Sequence, residues 1–159
     1  DAPARARFLV VTDATAGAAS AEAWELGVSQ SCGARRTLAP PAAVPGSRFP
    51  VPGLVPPGSK VLTVAGIAHP DRFVRALIDA GYDVVDAMAF ADHHRYSAKD
   101  LAAIGAKMQG SGASAVFTTD KDAVRFETLA PSFPLYRVPL LVEFDPPDAL
   151  FDSVTAVIK

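Results

Sequence analysis

Apolar residues occur along the chain in short runs that alternate with segments of helical spacing. The runs, each typical of a buried strand, lie at Phe8–Thr12, Lys60–Ile67, Tyr82–Phe90, Ala113–Thr118 and Leu135–Phe144, the last interrupted by Pro139. Between them, apolar positions recur every three or four residues, which is typical of a helix with one buried face. The alternation predicts an α/β fold, with a mainly parallel, Rossmann-like sheet flanked by helices.

Two of the predicted helices have clear ends. Pro70 lies in a first helical turn, where its missing N–H costs nothing, and Gly81 ends that helix. The segment Ser97–Asp100 resembles a capping box, which predicts a second helix that ends near Gly110.

Three further helices and one short strand follow from the same pattern. Ser20 is the predicted N-cap of a helix that ends at Leu26, and Asp120 caps a helix that runs to about Leu129. Asp148–Lys159 is the predicted closing helix, and Arg35–Leu38 is a short predicted strand.

Residues 40–58 form a proline-rich connector. They hold seven of the chain's 14 prolines. Proline removes backbone donors and fixes φ, so the segment is predicted to be neither helix nor central strand and is the candidate domain boundary. Because the chain starts with Asp1 and a buried strand begins as early as Phe8, we expect it to be cut from something longer.

Composition and charge narrow the classes of function. Hydrophobic residues make up 50% of the chain, which is enough for a packed core. The net charge of -2, with no strongly basic stretch, gives no support for nucleic-acid binding. No apolar run reaches the ~18 residues of a membrane-spanning helix. Cys32 is the only cysteine, so no intrachain disulfide forms, and with no paired base it is interpreted as inert.

Three polar clusters each follow a predicted strand. They are Gly66–Pro70, Asp92–His94 and Thr118–Asp122. Because ligands of open α/β sheets sit beyond the carboxyl ends of the strands, we expect a site at this edge. A carboxylate such as Asp92 beside an imidazole can orient the ring and raise its basicity, which suits proton transfer by His93.

The residues alone leave two other interpretations of the Asp92–His94 loop open. It can be a solvated turn whose aspartate caps the backbone. It can also belong to a metal-dependent hydrolase, although no His-x-His or His-x-x-x-His spacing supports a metal. The ligands in that case come from His69, His93, His94, Asp120 and Asp122.

The segment Thr119–Asp122 also has two interpretations. Its charges are either ordinary for the start of a helix, or they place an anion or substrate at a helix N-terminus. His69, before Pro70, is most simply a helix N-cap. No Gly-x-x-x-x-Gly-Lys-Ser/Thr loop and no Gly-x-Gly-x-x-Gly motif is present in the sequence, so nothing in it is predicted to cradle the phosphates of a nucleotide.

Taken together, three ordered motifs resemble the C-terminal domain of tetraacyldisaccharide 4'-kinases. The motifs are Val64–Phe73, Phe90–His94 and Thr118–Val124, and the likeness extends over about residues 60–144. Phe8–Thr12 is similar to the last strand of that family's N-terminal domain. Asp120 stands where the family often has Glu, and residues 14–58 match the family poorly.

The resemblance implies a fold and an activity. Family members have two α/β domains that face each other across a cleft, joined by a two-stranded linker. They use Mg²⁺ and transfer the ATP γ-phosphate to the 4'-hydroxyl of the lipid A precursor disaccharide. The Walker A loop, the acidic metal-binding pair and a catalytic aspartate lie in the N-terminal P-loop domain, which this chain lacks apart from its apparent last strand. The segment alone is therefore expected to bind neither ATP nor Mg²⁺ and to be inactive.

The resemblance also implies roles for residues of this chain. His93 matches the histidine that partners the catalytic aspartate, and Asp92 matches its neighbour, so both are predicted to be catalytic. Thr119, Lys121 and Asp122 match a family motif to which the resemblance assigns no role. Together with His94, these three residues are predicted to bind substrate.

The implied domain organisation has four parts. Residues 1–39 are the end of the N-terminal domain plus a linker strand, 40–58 the connector, 59–135 the C-terminal α/β domain, and 136–159 a linker strand and closing helix. Arg35–Leu38 and Tyr136–Phe144 are predicted to pair antiparallel as the linker. The implied location is cytoplasmic, peripheral at the inner membrane face. A Rossmann-like binding module without catalysis is the alternative function, and the reading frame upstream of Asp1 discriminates between the two.

Overall fold

The computed structural model describes residues 6–46 and 53–158, which contain eight strands and five α-helices. The strands are β1 (Phe8–Thr12), β2 (Gln30–Leu38), β3 (Ala42–Ala43), β4 (Lys60–Ala65), β5 (Asp83–Ala89), β6 (Ala115–Thr119), β7 (Leu135–Val138) and β8 (Leu140–Asp145). The helices are α1 (Ala16–Glu25), α2 (Pro70–Asp79), α3 (Ala98–Ser111), α4 (Asp120–Phe126) and α5 (Ala149–Ile158), and a short 3-10 turn follows α4 at Glu127–Leu129.

The chain divides into two compact units. One contains the residues up to Thr37 together with those from Leu141 onward, and the other is Leu38–Leu140. In the first unit β1, β2 and β8 form a three-stranded sheet in the order β1-β2-β8, with β1 parallel to β2.

Helix α1 of the first unit begins earlier than predicted. Thr15, rather than Ser20, is the N-cap, and its side chain accepts a hydrogen bond from Ala18 N. Ser20 is inside the helix and donates its hydroxyl to Ala16 O at 2.9 Å. Alanine has the highest helix propensity, so the alanine-rich segment before Ser20 extends the helix back to the first available cap.

The second unit is built on a five-stranded sheet in the order β3-β7-β6-β4-β5. The pairs β4–β5, β4–β6 and β6–β7 are parallel, and only the two-residue edge strand β3 is antiparallel. The strand order reverses at β4, because β5 lies on one side of it and β6 on the other. The carboxyl ends of β4 and β6 therefore flank a topological switch point, where ligands of such sheets bind.

This sheet is buried on both faces, which explains why its strands read as continuous apolar runs. Alternate residues of β4 enter different cores: Leu62 and Val64 pack on one face, Val61 and Ala65 on the other. The first core includes Ile104 of α3 and Phe126 of α4, and the second includes Phe73 and Leu77 of α2. The α/β fold class predicted from the alternating pattern is confirmed.

The capping box of α3 is confirmed. The Ser97 side chain accepts from Asp100 N, and Asp100 accepts from Ser97 N. The helix ends at Gly112, in the left-handed conformation, two residues beyond the predicted end. Helix α4 differs, because Thr119 rather than Asp120 is the N-cap and accepts from Asp122 N.

The predicted strand over Leu135–Phe144 is divided at Pro139. Residues before it form β7, which is parallel to β6 in the five-stranded sheet, and residues after it form β8, which neighbours β2. The expectation that Tyr136 and the residues after it belong to the linker pair is therefore wrong for β7. Proline has no N–H to continue a ladder, which accounts for the division.

The connector also differs in part from expectation. Arg35–Leu38 is the end of the longer strand β2, and the connector contains the edge strand β3 and the buried Val44. Residues 47–52 of the predicted connector lie outside the described residues.

Candidate functional site

Three loops of the second unit meet at the carboxyl edge of its sheet. They follow β4, β5 and β6, and they carry the three polar clusters that the sequence singles out. Hydrogen bonds join the loops, because Asp122 of α4 bonds Gly66 after β4, and Lys121 bonds Asp92 after β5. The clusters therefore form one site at the switch point.

Asp122 is the buried hub of this site. Its side chain is fully buried, and its Oδ2 accepts from Gly66 N at 2.8 Å and from Thr119 Oγ1 at 2.9 Å. Its Oδ1 accepts from Arg125 Nη1 at 2.9 Å, an ion pair one turn along α4. A buried carboxylate needs such partners to offset the cost of desolvation. Asp122 thus holds the loop after β4, the loop before α4 and the side chain of Arg125 in place.

A second set of contacts surrounds Asp92. Its Oδ1 accepts from Lys121 Nζ at 2.6 Å and from the backbone N of His93 at 2.9 Å. The hydrogen bond from Lys121, the largest cause, holds the pKa of the Asp92 carboxyl below its usual range, and the charge of Lys121 and the backbone hydrogen bond from His93 lower it further. Asp92 is therefore an ionised carboxylate at neutral pH.

His93 occupies a strained and exposed position between two charged groups. Its φ is 62°, in the left-handed region that non-glycine residues adopt rarely, and its side chain is 74% exposed. Arg125 Nη2 lies 3.4 Å from His93 Nδ1, and His93 Nε2 lies 3.6 Å from Asp92 Oδ2. Because guanidinium only donates, a hydrogen bond between these two groups requires the lone pair on Nδ1 and the hydrogen on Nε2. A strained, exposed imidazole with a defined tautomer is a feature of functional sites.

His94 is held quite differently, although it is adjacent in sequence. Its ring packs against Phe90, with ring centroids 4.7 Å apart, and against Tyr96 at 5.1 Å. Its Nε2 lies 3.2 Å from Asp100 Oδ2, so the capping box of α3 anchors it. The structure thus gives His94 packing contacts and His93 an open face.

Tyr96 and Arg125 belong to this site and were missed by the sequence reasoning. Tyr96 is 8% exposed and stacks on Phe126 with ring centroids 4.0 Å apart. Its hydroxyl is buried without a hydrogen-bond partner among the described residues. Burial, and then the negative charge of Asp122, raise the pKa of Tyr96 above its usual range. The spacing of Arg125 three residues after Asp122 on a helix was the available signal for the ion pair.

The proposed metal ligands are not assembled. Asp120 pairs with Arg137 at 2.9 Å, and the exposed His69 side chain makes no hydrogen bond or ion pair with the described residues. His69 does occupy the N-cap position of α2, without a side-chain cap bond. Across residues 6–46 and 53–158, no group of three or more His, Cys, Asp or Glu is placed to hold a metal ion. The five residues named as possible metal ligands are therefore not brought together in this part of the chain.

Two further findings concern the rest of the chain. Cys32, in the first unit, is fully buried, and burial raises the pKa of its thiol, which agrees with an unreactive residue. None of the helices in the described residues combines the length and apolarity that crossing a bilayer requires.

Sequence comparison matches the whole chain to one family. A family model described as tetraacyldisaccharide-1-P 4'-kinase matches residues 1–159. The chain is 34% identical over 118 residues to the tetraacyldisaccharide 4'-kinase of Halorhodospira halophila, which covers 74% of this chain and 32% of the relative. It is 47% identical over 68 residues to the enzyme of the same name from Rhodopseudomonas palustris, which covers 43% of this chain and 20% of the relative. The alignments thus span only about a fifth to a third of these relatives.

The fold is similar to a solved structure, the crystal structure of LpxK from Aquifex aeolicus in complex with ATP. The TM-score is 0.57 at 18% sequence identity, and the match covers 98% of this chain and 44% of that chain. At this identity the likeness concerns the fold alone.

Proposed function

The chain belongs to the tetraacyldisaccharide-1-P 4'-kinase family, and from that premise we propose that it forms the C-terminal, acceptor-side part of such a kinase. The complete protein transfers the γ-phosphate of ATP to the 4'-hydroxyl of the tetraacyldisaccharide lipid A precursor. Residues 1–39 are the end of its N-terminal domain plus a linker strand, and residues 59–135 are its C-terminal domain. The enzyme acts peripherally at the cytoplasmic face of the inner membrane.

In this proposal, ATP and Mg²⁺ are bound by the P-loop domain of the complete protein and not by residues 1–159. Among the described residues, no group of three or more His, Cys, Asp or Glu side chains is placed to hold a metal ion. No Walker A sequence is present either. The isolated segment is therefore expected to be inactive.

The position of His93 is the observation that carries the proposal. The residue lies at the switch point, its backbone is in the left-handed region, and its imidazole is exposed between Asp92 and Arg125. Functional residues are often held in such strained conformations, because the surrounding structure stabilises them. The ring is thus placed to meet a group supplied from outside this unit.

In the reaction, His93 is the partner of a carboxylate base on the N-terminal domain. The imidazole Nε2–H donates to that carboxylate and orients it toward the 4'-hydroxyl, from which the base takes the proton. Arg125 keeps the ring in the required tautomer, and Asp92 holds the loop through Lys121. The role of each remaining predicted substrate residue depends on whether its side chain is exposed. Lys121 is exposed and contacts substrate directly, whereas the buried Asp122 acts through Arg125, and His94 and Thr119 shape the loops.

Substitution of the two adjacent histidines in the complete enzyme tests this function. A general-base contribution is typically ~10²–10⁴-fold in rate, so His93→Ala is expected to lower kcat by about that factor. His94→Ala is the matched control and is expected to cost much less, because His94 is a packing residue. Steady-state kinetics and circular dichroism on both variants are the measurements. Near-normal kcat in His93→Ala, or greater damage in His94→Ala, means that the loop is structural.

A further inference from the structure

A pocket lies beside His93 and opens to solvent. Its volume is about 440 Å³, and it is lined by His93, Arg95, Tyr96 and Arg125. None of these four described residues is acidic. A second pocket of about 510 Å³, between α2 and the strands β4 and β5, is lined mostly by apolar residues. The pocket beside His93 is thus the one whose chemistry suits an anion.

The guanidinium of Arg125 is held in this pocket by two contacts. Its Nη1 donates to the buried Asp122, its Nη2 lies against His93 Nδ1, and its side chain is 25% exposed. A guanidinium has five N–H donors, so these two contacts leave others for a ligand. Asp122 offsets the charge of Arg125 while keeping its planar fork in place.

The second arginine of the pocket, Arg95, has a positive charge that no described carboxylate neutralises in an ion pair. It is exposed and makes no ion pair or hydrogen bond with any residue that the structure describes. Its neighbours in sequence, His94 and Tyr96, pack against each other and against Phe90, so the backbone of Arg95 is held at the rim. The backbone of Arg95 is therefore fixed, and the charge of its guanidinium is available to a ligand.

The nearby carboxylates are already engaged and do not compete for Arg95. Asp92 accepts from Lys121 at 2.6 Å, and Asp100 accepts from Ser97 N at 2.8 Å. Asp122 is buried and accepts from three different residues. The face that the pocket presents to solvent is consequently cationic.

The geometry points to a terminal phosphate group as the ligand of this pocket, bound between Arg95 and Arg125 beside His93. Guanidinium forks match phosphate oxygens in pairs, and the open side of the pocket allows the phosphate to remain attached to a larger molecule. The inference rests on the proposed function, in which a phosphoryl group is transferred next to His93. The phosphate comes either from the nucleotide donor or from the sugar acceptor, since the chemistry of recognition is the same.

Direct binding of inorganic phosphate to the 159-residue chain is the first test. Two-dimensional ¹H–¹⁵N spectra that include the arginine Nε–H signals are recorded during a phosphate titration. The expected result is millimolar binding, with the largest shifts at Arg95, Arg125 and His93. Shifts that are spread over other basic residues, or no shifts at all, overturn the inference.

Variants of Arg95 decide whether the binding is specific. Arg95→Gln is expected to weaken phosphate binding about tenfold, the size of a lost charge-assisted hydrogen bond. Arg95→Lys is expected to retain part of it through its charge. Arg72→Gln on α2, an exposed position outside this pocket, is the control and is expected to bind like the wild type. Equal weakening in Arg72→Gln and Arg95→Gln means that only the net charge matters, which overturns the inference.

Two further ligands identify the source of the phosphate. Glucosamine 1-phosphate and Mg²⁺-free ATP are titrated, with glucosamine as the ligand that lacks phosphate. Tighter binding of the sugar phosphate assigns the pocket to the acceptor, and tighter binding of ATP assigns it to the donor. Glucosamine binding as well as glucosamine 1-phosphate contradicts phosphate recognition. Because these titrations involve no catalysis, normal phosphate binding combined with unimpaired kcat in His93→Ala refutes the proposed function without refuting the pocket.

Discussion

At the scale of single residues, His93 and His94 show how identical side chains come to lie in different environments. Both follow Asp92, but the left-handed φ of His93 turns its ring toward Arg125, while His94 packs on Phe90 and Tyr96. Sequence spacing cannot separate them, because adjacent residues on a loop have no fixed periodicity. The backbone conformation at His93 decides the difference.

The tautomer of His93 is the first prediction at this scale. Since Arg125 donates to Nδ1, the neutral imidazole is expected to carry its hydrogen on Nε2. Long-range ¹H–¹⁵N correlation spectra of the chain at alkaline pH measure this directly. Arg125→Gln removes the guanidinium donor and is expected to give a mixture of tautomers, whereas Arg95→Gln keeps the Nε2–H form. A wild-type Nδ1–H tautomer contradicts the arrangement.

The candidate site could be predicted only in part from its residues. Asp92, His93, Lys121 and Asp122 were found because strand ends in an α/β sheet converge, and the structure brings them together. Arg125 and Tyr96 were missed, because their contribution depends on how α4 and the loop after β5 pack. The place of Asp122 at this edge was predicted, but its burial was not: it is fully buried and forms an ion pair with Arg125.

At the scale of elements, the capping box of α3 links helix stability to the loop of the site. Asp100 Oδ2 accepts hydrogen bonds from Ser97 N and, at 2.7 Å, from Ser97 Oγ. The same oxygen lies 3.2 Å from His94 Nε2. The hydrogen bond from the Ser97 side chain, the largest cause, lowers the pKa of Asp100 in the folded chain. One carboxylate therefore stabilises both the helix start and the position of His94.

This lowered pKa predicts an acid-dependent contribution to stability. A folded pKa below the unfolded value gives stabilisation that is present above the ordinary aspartate pKa of ~3.9 and lost as pH falls through the folded pKa. Asp100→Asn is therefore expected to reduce the free energy of unfolding by about 0.3–1 kcal/mol near neutral pH, and the difference from the wild type is expected to shrink below pH ~4. Urea unfolding at several pH values measures it.

The control for Asp100→Asn is Lys99→Gln, which changes the charge of the same helix end by one unit. Lysine does not titrate in the acid range, so its difference from the wild type is expected to stay constant there. A difference for Asp100→Asn that is equally constant with pH means that the carboxylate is not responsible.

The second prediction at the scale of elements concerns the stability of a Gly66 variant, because the loop after β4 passes close to neighbouring residues at Gly66. A Cβ on Gly66 lies 3.2 Å from Ala91 O, from Asp122 Oδ1 and from Tyr96 Oη. Gly66→Ala is therefore expected to destabilise the chain by about 1–3 kcal/mol, as overpacking does. Gly110→Ala in α3, where nothing lies within 4 Å, is the control and is expected to stabilise by about 0.5–1 kcal/mol. Thermal unfolding of both variants gives the comparison, and equal stability of the two contradicts the close packing.

Element boundaries followed the sequence where local chemistry determines them. The predicted capping box of Ser97 and Asp100 is present at the start of α3, and α2 begins at Pro70 as predicted. The interruption at Pro139 was visible in the sequence. Local pattern did not show that β7 belongs to one sheet and β8 to another, because this depends on distant strands. The early start of α1 at Ala16 was missed for a different reason, since alanine is apolar and small and gives little periodic signal.

At the scale of the whole molecule, the alternation of strands and helices was sufficient to predict the α/β class. Hydrophobic cores lie on both faces of the five-stranded sheet, so its strands are mostly apolar and stand out in the sequence. The division into two units was harder to derive, because the first unit joins residues from both ends of the chain. Such long-range assembly leaves no local pattern.

The nucleotide affinity of the chain is the prediction that belongs to this scale. Without a phosphate-cradling loop, the 159-residue chain is expected to bind Mg-ATP no more tightly than millimolar, roughly -4 kcal/mol. Any millimolar binding that remains is attributed to the pocket at Arg95 and is expected to weaken in Arg95→Gln but not in Arg72→Gln. Titration calorimetry of the three proteins, with Mg²⁺ alone as a blank, provides the measurement. Micromolar affinity in any of them shows that the chain holds a complete nucleotide site. The P-loop domain is then unnecessary for binding ATP, and the assignment of this chain to the acceptor side is wrong.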